Sequence, residues 1–218
     1  EYASIKRKKP AAELDVEAGW VVRRTDRQKL LALSEMALEA QYNRDRAERL
    51  FAEEHVDIHE NTIATGCTFA EVEVDIPLGK VTILNIINVH DSGILINPKL
   101  AEGQVQGGMS MGIGYALFEE LLYDEKGRPL NDNLLDYKLP TAMDQPDLTA
   151  AFVELHDPSG PFGNKALGEP PAISPAPAIR NAVLQATGVA FNSLPLSPQK
   201  LVEGFTAAGL IKEVGKHV

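Results

Sequence analysis

The sequence holds one cysteine, Cys67, in 218 residues. No intrachain disulfide can form, and a cytoplasmic setting fits that usage. There is no surplus of positive charge: 21 Lys+Arg stand against 31 Asp+Glu, a net charge of −10. That sign argues against nonspecific nucleic-acid binding. No apolar run approaches the ~20 residues that cross a bilayer, so no membrane partner is expected. No secretory signal opens the chain. It begins at Glu1 rather than Met, as a processed or partial piece would. The easily read catalytic signatures are missing too. There is no HExxH, no GxSxG around Ser110, no P-loop, and no GxGxxG with a following acidic residue.

What is present suits a packed domain. Hydrophobic residues make up 44% and charged residues 24%, enough for one large domain or two small ones. Residues 1–12 read as a linker or broken element ended by Pro10, and the run Lys6-Arg7-Lys8-Lys9 as solvated. Residues 19–24 read as a short strand. Asp26 is placed to cap a helix reaching about Tyr42, because Leu30, Leu33, Ala37 and Leu38 share a face. Residues 43–60 read as loop with some helix. The alternation from Cys67 to Ile76, the turn Pro77-Leu78-Gly79-Lys80 and the β-branched run from Val81 to His90 predict a β-hairpin. Cys67 is expected in its core.

Asn97-Pro98 signals a helix start, with Asn as N-cap and Pro in the first position. The predicted helix runs from Lys99 to about Leu122 and contains Gly103, Gly107, Gly108, Gly112 and Gly114. Each interior glycine costs a helix up to ~1 kcal/mol against alanine. Five of them imply that a helix, a strand or a ligand lies close against that backbone. Residues 134–140 and 150–155 read as strands. Residues 157–177 hold three Gly and six Pro, too constrained for a flexible linker. Helices are predicted over 177–187, ended by Gly188, and from Ser197-Pro198 to about Ala208, ended by Gly209.

The constrained stretch contains the first candidate site. Glu169 stands between Gly168 and Pro170-Pro171. Glycine lets a ligand approach, and the prolines hold the carboxylate in place. A general base needs that placement first. A carboxylate among Leu167, Gly168 and prolines is expected to be poorly solvated. The same residue also reads as a helix-start carboxylate near Ala172. Gln104, one turn into the glycine-rich helix, has an amide able to donate and accept toward a polar cofactor; it reads equally as a surface glutamine. Gln106 reads as structural. His55 and His59 have i, i+4 spacing but no supporting ligands, so a solvated face is the reading. His90-Asp91 and His156-Asp157 read as strand-end or turn residues.

Three runs taken in order carry a family resemblance. They are Gly66-Cys67-Thr68-Phe69-Ala70-Glu71-Val72-Glu73-Val74-Asp75, then residues 97–108 (Asn-Pro-Lys-Leu-Ala-Glu-Gly-Gln-Val-Gln-Gly-Gly), then Lys165-Ala166-Leu167-Gly168-Glu169-Pro170-Pro171. Asp136-Tyr137-Lys138-Leu139-Pro140 and Leu194-Pro195-Leu196-Ser197-Pro198 fit the same order. Together they resemble the C-terminal part of the molybdenum-cofactor-binding subunit of the xanthine dehydrogenase and aldehyde oxidase family, and most of all its bacterial xanthine dehydrogenases. The match is good over about 60–210 and loose before it.

That resemblance implies an α+β fold of mixed helices and antiparallel strands. It implies two parts: 1–60, a linker, strand and helix continuing a preceding domain, and 61–218, a C-terminal domain binding molybdenum-molybdopterin. It implies that Glu169 is the base that activates Mo–OH and that Gln104 hydrogen-bonds the cofactor. The substrate class is a purine such as hypoxanthine or xanthine, or an aldehyde or other N-heterocycle. Electrons leave through iron–sulfur clusters to FAD and NAD on other domains or subunits. The family subunit is much longer than 218 residues. Its earlier glutamine loop and its substrate-clamping arginine and phenylalanines have no counterpart here. A truncated subunit or one chain of a split enzyme is therefore expected, inactive alone and partnered by the rest of the molybdenum subunit. A non-catalytic scaffold is the reading from another class.

Overall fold

The computed structural model describes residues 2–42, 50, 51, 53, 55 and 60–211. The chain divides into two units, Glu1–Asp57 and Ile58–Val218.

The first unit starts with a short helix where a linker is expected: α1, Tyr2–Arg7. A three-stranded antiparallel sheet follows: β1 Leu14–Glu17, β2 Trp20–Arg23 and β3 Lys29–Ala32. The loop between β1 and β2 is Ala18-Gly19, with φ of 45° and 81°. Two positive-φ residues in a two-residue connection match the twist of the strands they join. The helix expected from Asp26 begins only at Leu33, as α2, Leu33–Tyr42. Asp26 shapes the turn before β3 instead: it accepts from Arg23 at 2.9 Å and from the Gln28 amide at 3.2 Å. Residues 29–32 then pair with β2, burying Leu31 against Val21 and Ala3. The helical spacing of Leu30 and Leu33 loses to this pairing. The predicted loop at 43–60 falls mostly outside the described residues.

The second unit is built on the expected hairpin, β4 Thr65–Asp75 and β5 Lys80–Asp91. Asp75 accepts from the Leu78 amide to close its turn. Thr68, Ala70, Val72 and Val74 form the inner face of β4. On β5 the phase changes at a bulge: Ile83 opposes Val72, but Ile86 opposes Ala70. Strict two-residue alternation therefore puts Cys67 and Phe69 outside. Cys67 is exposed, contrary to expectation, and so is Phe69, at 60%.

The glycine-rich helix is α3, Pro98–Leu117. Asn97 caps it, accepting from the Leu100 amide at 3.1 Å. It ends five residues before the expected Leu122. The Phe118 and Glu119 amides both return to the Gly114 carbonyl. Buried Asn131 then takes residues 120–122 into a separate loop, donating to the Glu120 carbonyl and accepting from the Leu122 amide. Residues 134–140 form no strand. Asn133 draws the amides of Leu135, Asp136 and Tyr137 into a turn. β6, Leu148–Phe152, begins two residues before the predicted strand and pairs with β5 in parallel. The α+β expectation holds, with this one parallel pairing added to the antiparallel strands.

Three helices complete the unit: α4 Pro170–Ile173, α5 Pro175–Thr187 and α6 Pro198–Ala207. Gly188, at φ 73°, ends α5, and the Ser197 hydroxyl caps α6. The core joins Ile83 and Ile86 of the sheet to Val105, Met109 and Ile113 of α3 and Ile179 of α5. Each such side chain contributes roughly 1.5–3 kcal/mol on full burial. A second cluster, Val183, Leu196, Leu201 and Phe205, packs against Val72, Val74 and Val81. Among the described residues no helix is long and apolar enough to cross a membrane.

Candidate functional site

The constrained stretch folds back onto the end of β5 and then onto α3. Its first contact is backbone on backbone. Gly93, at φ 67°, lies so close to residue 163 that a Cβ there would meet the Gly163 carbonyl. Only glycine tolerates both the angle and the approach. The Ile94 amide donates to the Gly163 carbonyl at 2.9 Å, and the Lys165 amide to the Ser92 carbonyl at 2.7 Å. The Ser92 hydroxyl donates to the Ala166 carbonyl at 3.2 Å.

Beneath these bonds lies a buried ion pair. Lys165 Nζ donates to Asp91 Oδ2 at 2.6 Å, and the two side chains are only 11% and 9% exposed. The Gly93 amide donates to Asp91 Oδ1 at 2.9 Å. The lysine bond first, and the Gly93 bond second, hold the Asp91 carboxyl below its usual range. Next to it His90 is 2% exposed, and neither ring nitrogen has a hydrogen-bond partner among the described residues. Burial keeps this imidazole neutral and pushes its pKa down, against an upward pull from Asp91. Two residues back, Asn88 Nδ2 donates to the Pro171 carbonyl at 3.2 Å. Farther along, the hydroxyls of Thr68 and Ser174 share a hydrogen bond of 2.6 Å.

α4 and the start of α5 rest on α3. A Cβ on Gly108 would stand 2.7 Å from Pro171 Cβ, and one on Gly112 2.6 Å from Pro175 Cβ. These two glycines thus have the close neighbour their number implied, and it is a helix. Gly114 faces the Glu119 side chain. Gly103 and Gly107 differ: among the described residues nothing lies within 4 Å of a Cβ built on either, nor on Gly168.

Gln104 reaches the residue that precedes Glu169. Gln104 Nε2 donates to the Gly168 carbonyl at 3.1 Å, one residue before Glu169. Its amide oxygen takes no hydrogen bond among the described residues. Glu169 occupies the N-cap position of α4, and its carbonyl accepts from the Ala172 amide at 2.9 Å. Its carboxylate does not cap the helix. The side chain is exposed, so the poorly solvated setting expected for it is not met within this chain. The reason is local. Leu167 and Pro171 turn to the core and to Gly108, which leaves Glu169 on the outer side.

Gln106 is structural, as expected: its amide donates to the Leu148 carbonyl of β6 at 3.2 Å. His59 lies outside the described residues, and among the described residues no cluster of three His, Cys, Asp or Glu could hold a metal. Asp157 forms a turn, accepting from the Ser159 amide. Asp91, Ser92, Asn88 and Lys165 are the site residues that sequence reasoning missed. One signal was available: Lys165 is the single cation between residues 157 and 177.

The anchored loop that carries Glu169 thus lies beside an open, glycine-lined face of α3. The chain belongs to the family described as the molybdopterin cofactor-binding domain, which matches residues 1–146. Within that family it is 56% identical, over 183 residues, to the putative xanthine dehydrogenase molybdenum-binding subunit XdhA of Escherichia coli (strain K12). That alignment covers 84% of this chain and 24% of the relative. The aldehyde oxidoreductase of Megalodesulfovibrio gigas is 37% identical over 143 residues, covering 65% of this chain and 15% of the relative. Among solved structures, quinoline 2-oxidoreductase from Pseudomonas putida 86 superposes with a TM-score of 0.77 at 28% identity, over 94% of this chain and 27% of that one. The chain therefore spans about a quarter of the length of the curated relatives it matches first.

Proposed function

We propose that this chain supplies the proton acceptor, Glu169, and a cofactor contact, Gln104, to a molybdenum hydroxylase that oxidises purines such as hypoxanthine and xanthine. The observation that carries the proposal is the Gln104–Gly168 hydrogen bond, which sets both residues on one edge. The residues fit the group they would hold. Gly103 and Gly107 leave α3 free of side chains beside Gln104, so a bulky cofactor can lie close to the backbone there. Leu100 and Met111 border that face and are exposed. The Gln104 amide still has an acceptor and an N–H to offer. When bound, molybdenum-molybdopterin supplies the redox centre that takes up the substrate's electron pair.

The chain's own part is proton handling. The Glu169 carboxylate receives the proton given up by the water-derived nucleophile and holds it on a carboxylate oxygen. Gly168 keeps the approach to it open, and the loop's anchors fix its position. Iron–sulfur clusters, FAD and NAD, held by other domains or subunits, would supply the onward path for the electrons. On this reading the rest of the molybdenum-binding subunit covers Glu169 and excludes water from it. The chain alone is inactive on this reading, and the enzyme works in the cytoplasm. The 56% identity to a xanthine dehydrogenase subunit favours a purine over an aldehyde.

The test is Glu169→Gln in the molybdenum-loaded enzyme containing this chain. The expected result is a loss of kcat of at least about 100-fold with molybdenum retained, since removing a positioned base costs 10²–10⁴-fold. Activity near wild type removes Glu169 from the mechanism. A complex reproducibly free of molybdenum favours a scaffold instead.

A further inference from the structure

We propose that Lys165 and Asp91 are positioning residues for Glu169: their buried ion pair, with Asn88 beyond Glu169, clamps the loop's backbone to the end of β5 and so places the carboxylate. This deepens the reading of Glu169 as the base and rests on it.

The Glu169 side chain makes no hydrogen bond or ion pair among the described residues, so its placement comes from the backbone alone. That backbone is held on both sides from one short segment. Residues 91–94 hold it before Glu169, through Asp91 to Lys165 Nζ, Ser92 to the Lys165 amide and the Ala166 carbonyl, and Ile94 to the Gly163 carbonyl. Asn88 holds it after Glu169, at the Pro171 carbonyl. Gln104 adds a third direction at Gly168. Asp91–Lys165 is the one charge-assisted tie in the set, and such bonds are shorter and stronger than neutral ones. Two apolar side chains of similar volume usually serve a buried position as well, because burying two charges carries a desolvation cost. What the pair adds is direction. Lys165 is pulled inward and downward onto Asp91, while Glu169, four residues on, is left facing out.

The test uses the molybdenum-loaded enzyme containing this chain, with Lys165→Met, Asp91→Asn/Lys165→Met and Glu169→Gln measured side by side. Four quantities are read: kcat and KM, molybdenum content, thermal midpoint, and hydrogen exchange of the peptide covering 163–173. Lys165→Met leaves a lone buried carboxylate, so its midpoint falls. Its kcat drops about 10- to 100-fold with KM little changed, the loss typical of a misplaced catalytic group, and loop exchange accelerates. In the double variant both charges are gone and the midpoint returns toward wild type. The positioning role requires that kcat stay low and exchange stay fast even so.

Recovery of kcat together with the midpoint would make the pair a folding element and overturn the proposal. So would a wild-type kcat and wild-type loop exchange in Lys165→Met. If Lys165→Met fails to fold, the double variant carries the test. If Glu169→Gln keeps its activity, the base reading falls, and loop exchange alone decides whether the clamp exists.

Discussion

The loop that carries Glu169 has two sides, and α3 has two matching ones. On the inner side the space is filled. Lys165 meets Asp91, Pro171 fills the space over Gly108, and Pro175 fills the space over Gly112. On the outer side Gly103, Gly107 and Gly168 meet nothing among the described residues, and the Glu169 carboxylate does not cap α4. The same residue type at the same four-residue spacing thus does opposite things along one helix. Gly108 and Gly112 let the protein close on itself, and Gly103 and Gly107 keep a surface clear. On the proposed function, stability resides on the first side and chemistry on the second.

The largest effect on this division is expected from Lys165→Met in the chain. Breaking a buried pair by removing one partner costs about 3–5 kcal/mol, measured by urea unfolding. A cost below about 1 kcal/mol would mean that the inner side is not held by charge, the range normal for an exposed pair.

Gly112→Ala comes next. Its Cβ would stand 2.6 Å from Pro175 Cβ and 3.2 Å from the Ala172 carbonyl. Overpacking of this kind costs roughly 1–3 kcal/mol, more than the ~1 kcal/mol of helix propensity that alanine returns. The unfolding midpoint should fall.

His90 gives the inner side a pH dependence. Its folded pKa lies below the ordinary histidine value of 6.5 because burial disfavours the imidazolium. The unfolded chain therefore takes up the proton first, and stability declines as pH falls below 6.5 toward the folded value. Asp91 acts lower: its ionised form is favoured in the fold, so its contribution is present above 3.8 and lost as pH drops through the depressed value. His90→Phe should flatten the upper part of a stability-against-pH curve and leave the lower part in place. An unchanged upper slope would assign it to another group.

Gly107→Ala is the smallest and the most telling. With nothing to strike, alanine should stabilise the chain by up to ~1 kcal/mol. In the assembled enzyme the same change should lower molybdenum content, because the added methyl stands on the surface kept clear. Equal stabilisation with full occupancy would show that this face meets no cofactor.

Much of the outer side was legible in the sequence, because its signals are local. Asn97-Pro98 fixes the start of α3, Gly188 the end of α5, Ser197-Pro198 the start of α6, and Gly168-Glu169-Pro170-Pro171 announces itself. The inner side was not, since it is made of contacts across the chain. Lys165 and Asp91 are separated by 74 positions. β3 is a strand because β2 lies beside it, although its own spacing reads as helix. Cys67 and Phe69 face outward because the bulge that shifts the alternation lies on β5, where β4's own sequence carries no mark of it. α3 stops early because of Asn131, fourteen positions past its end.

The tie between Asp91 and Lys165 also orders events in time. The 74 positions it joins enclose α3 and β6. Ends so far apart meet only after the intervening chain has found its place, because closing a long loop costs entropy that local contacts must first offset. A chain emerging from synthesis therefore carries Glu169 as an ordinary flexible carboxylate. It becomes a fixed one only when α3 is already built.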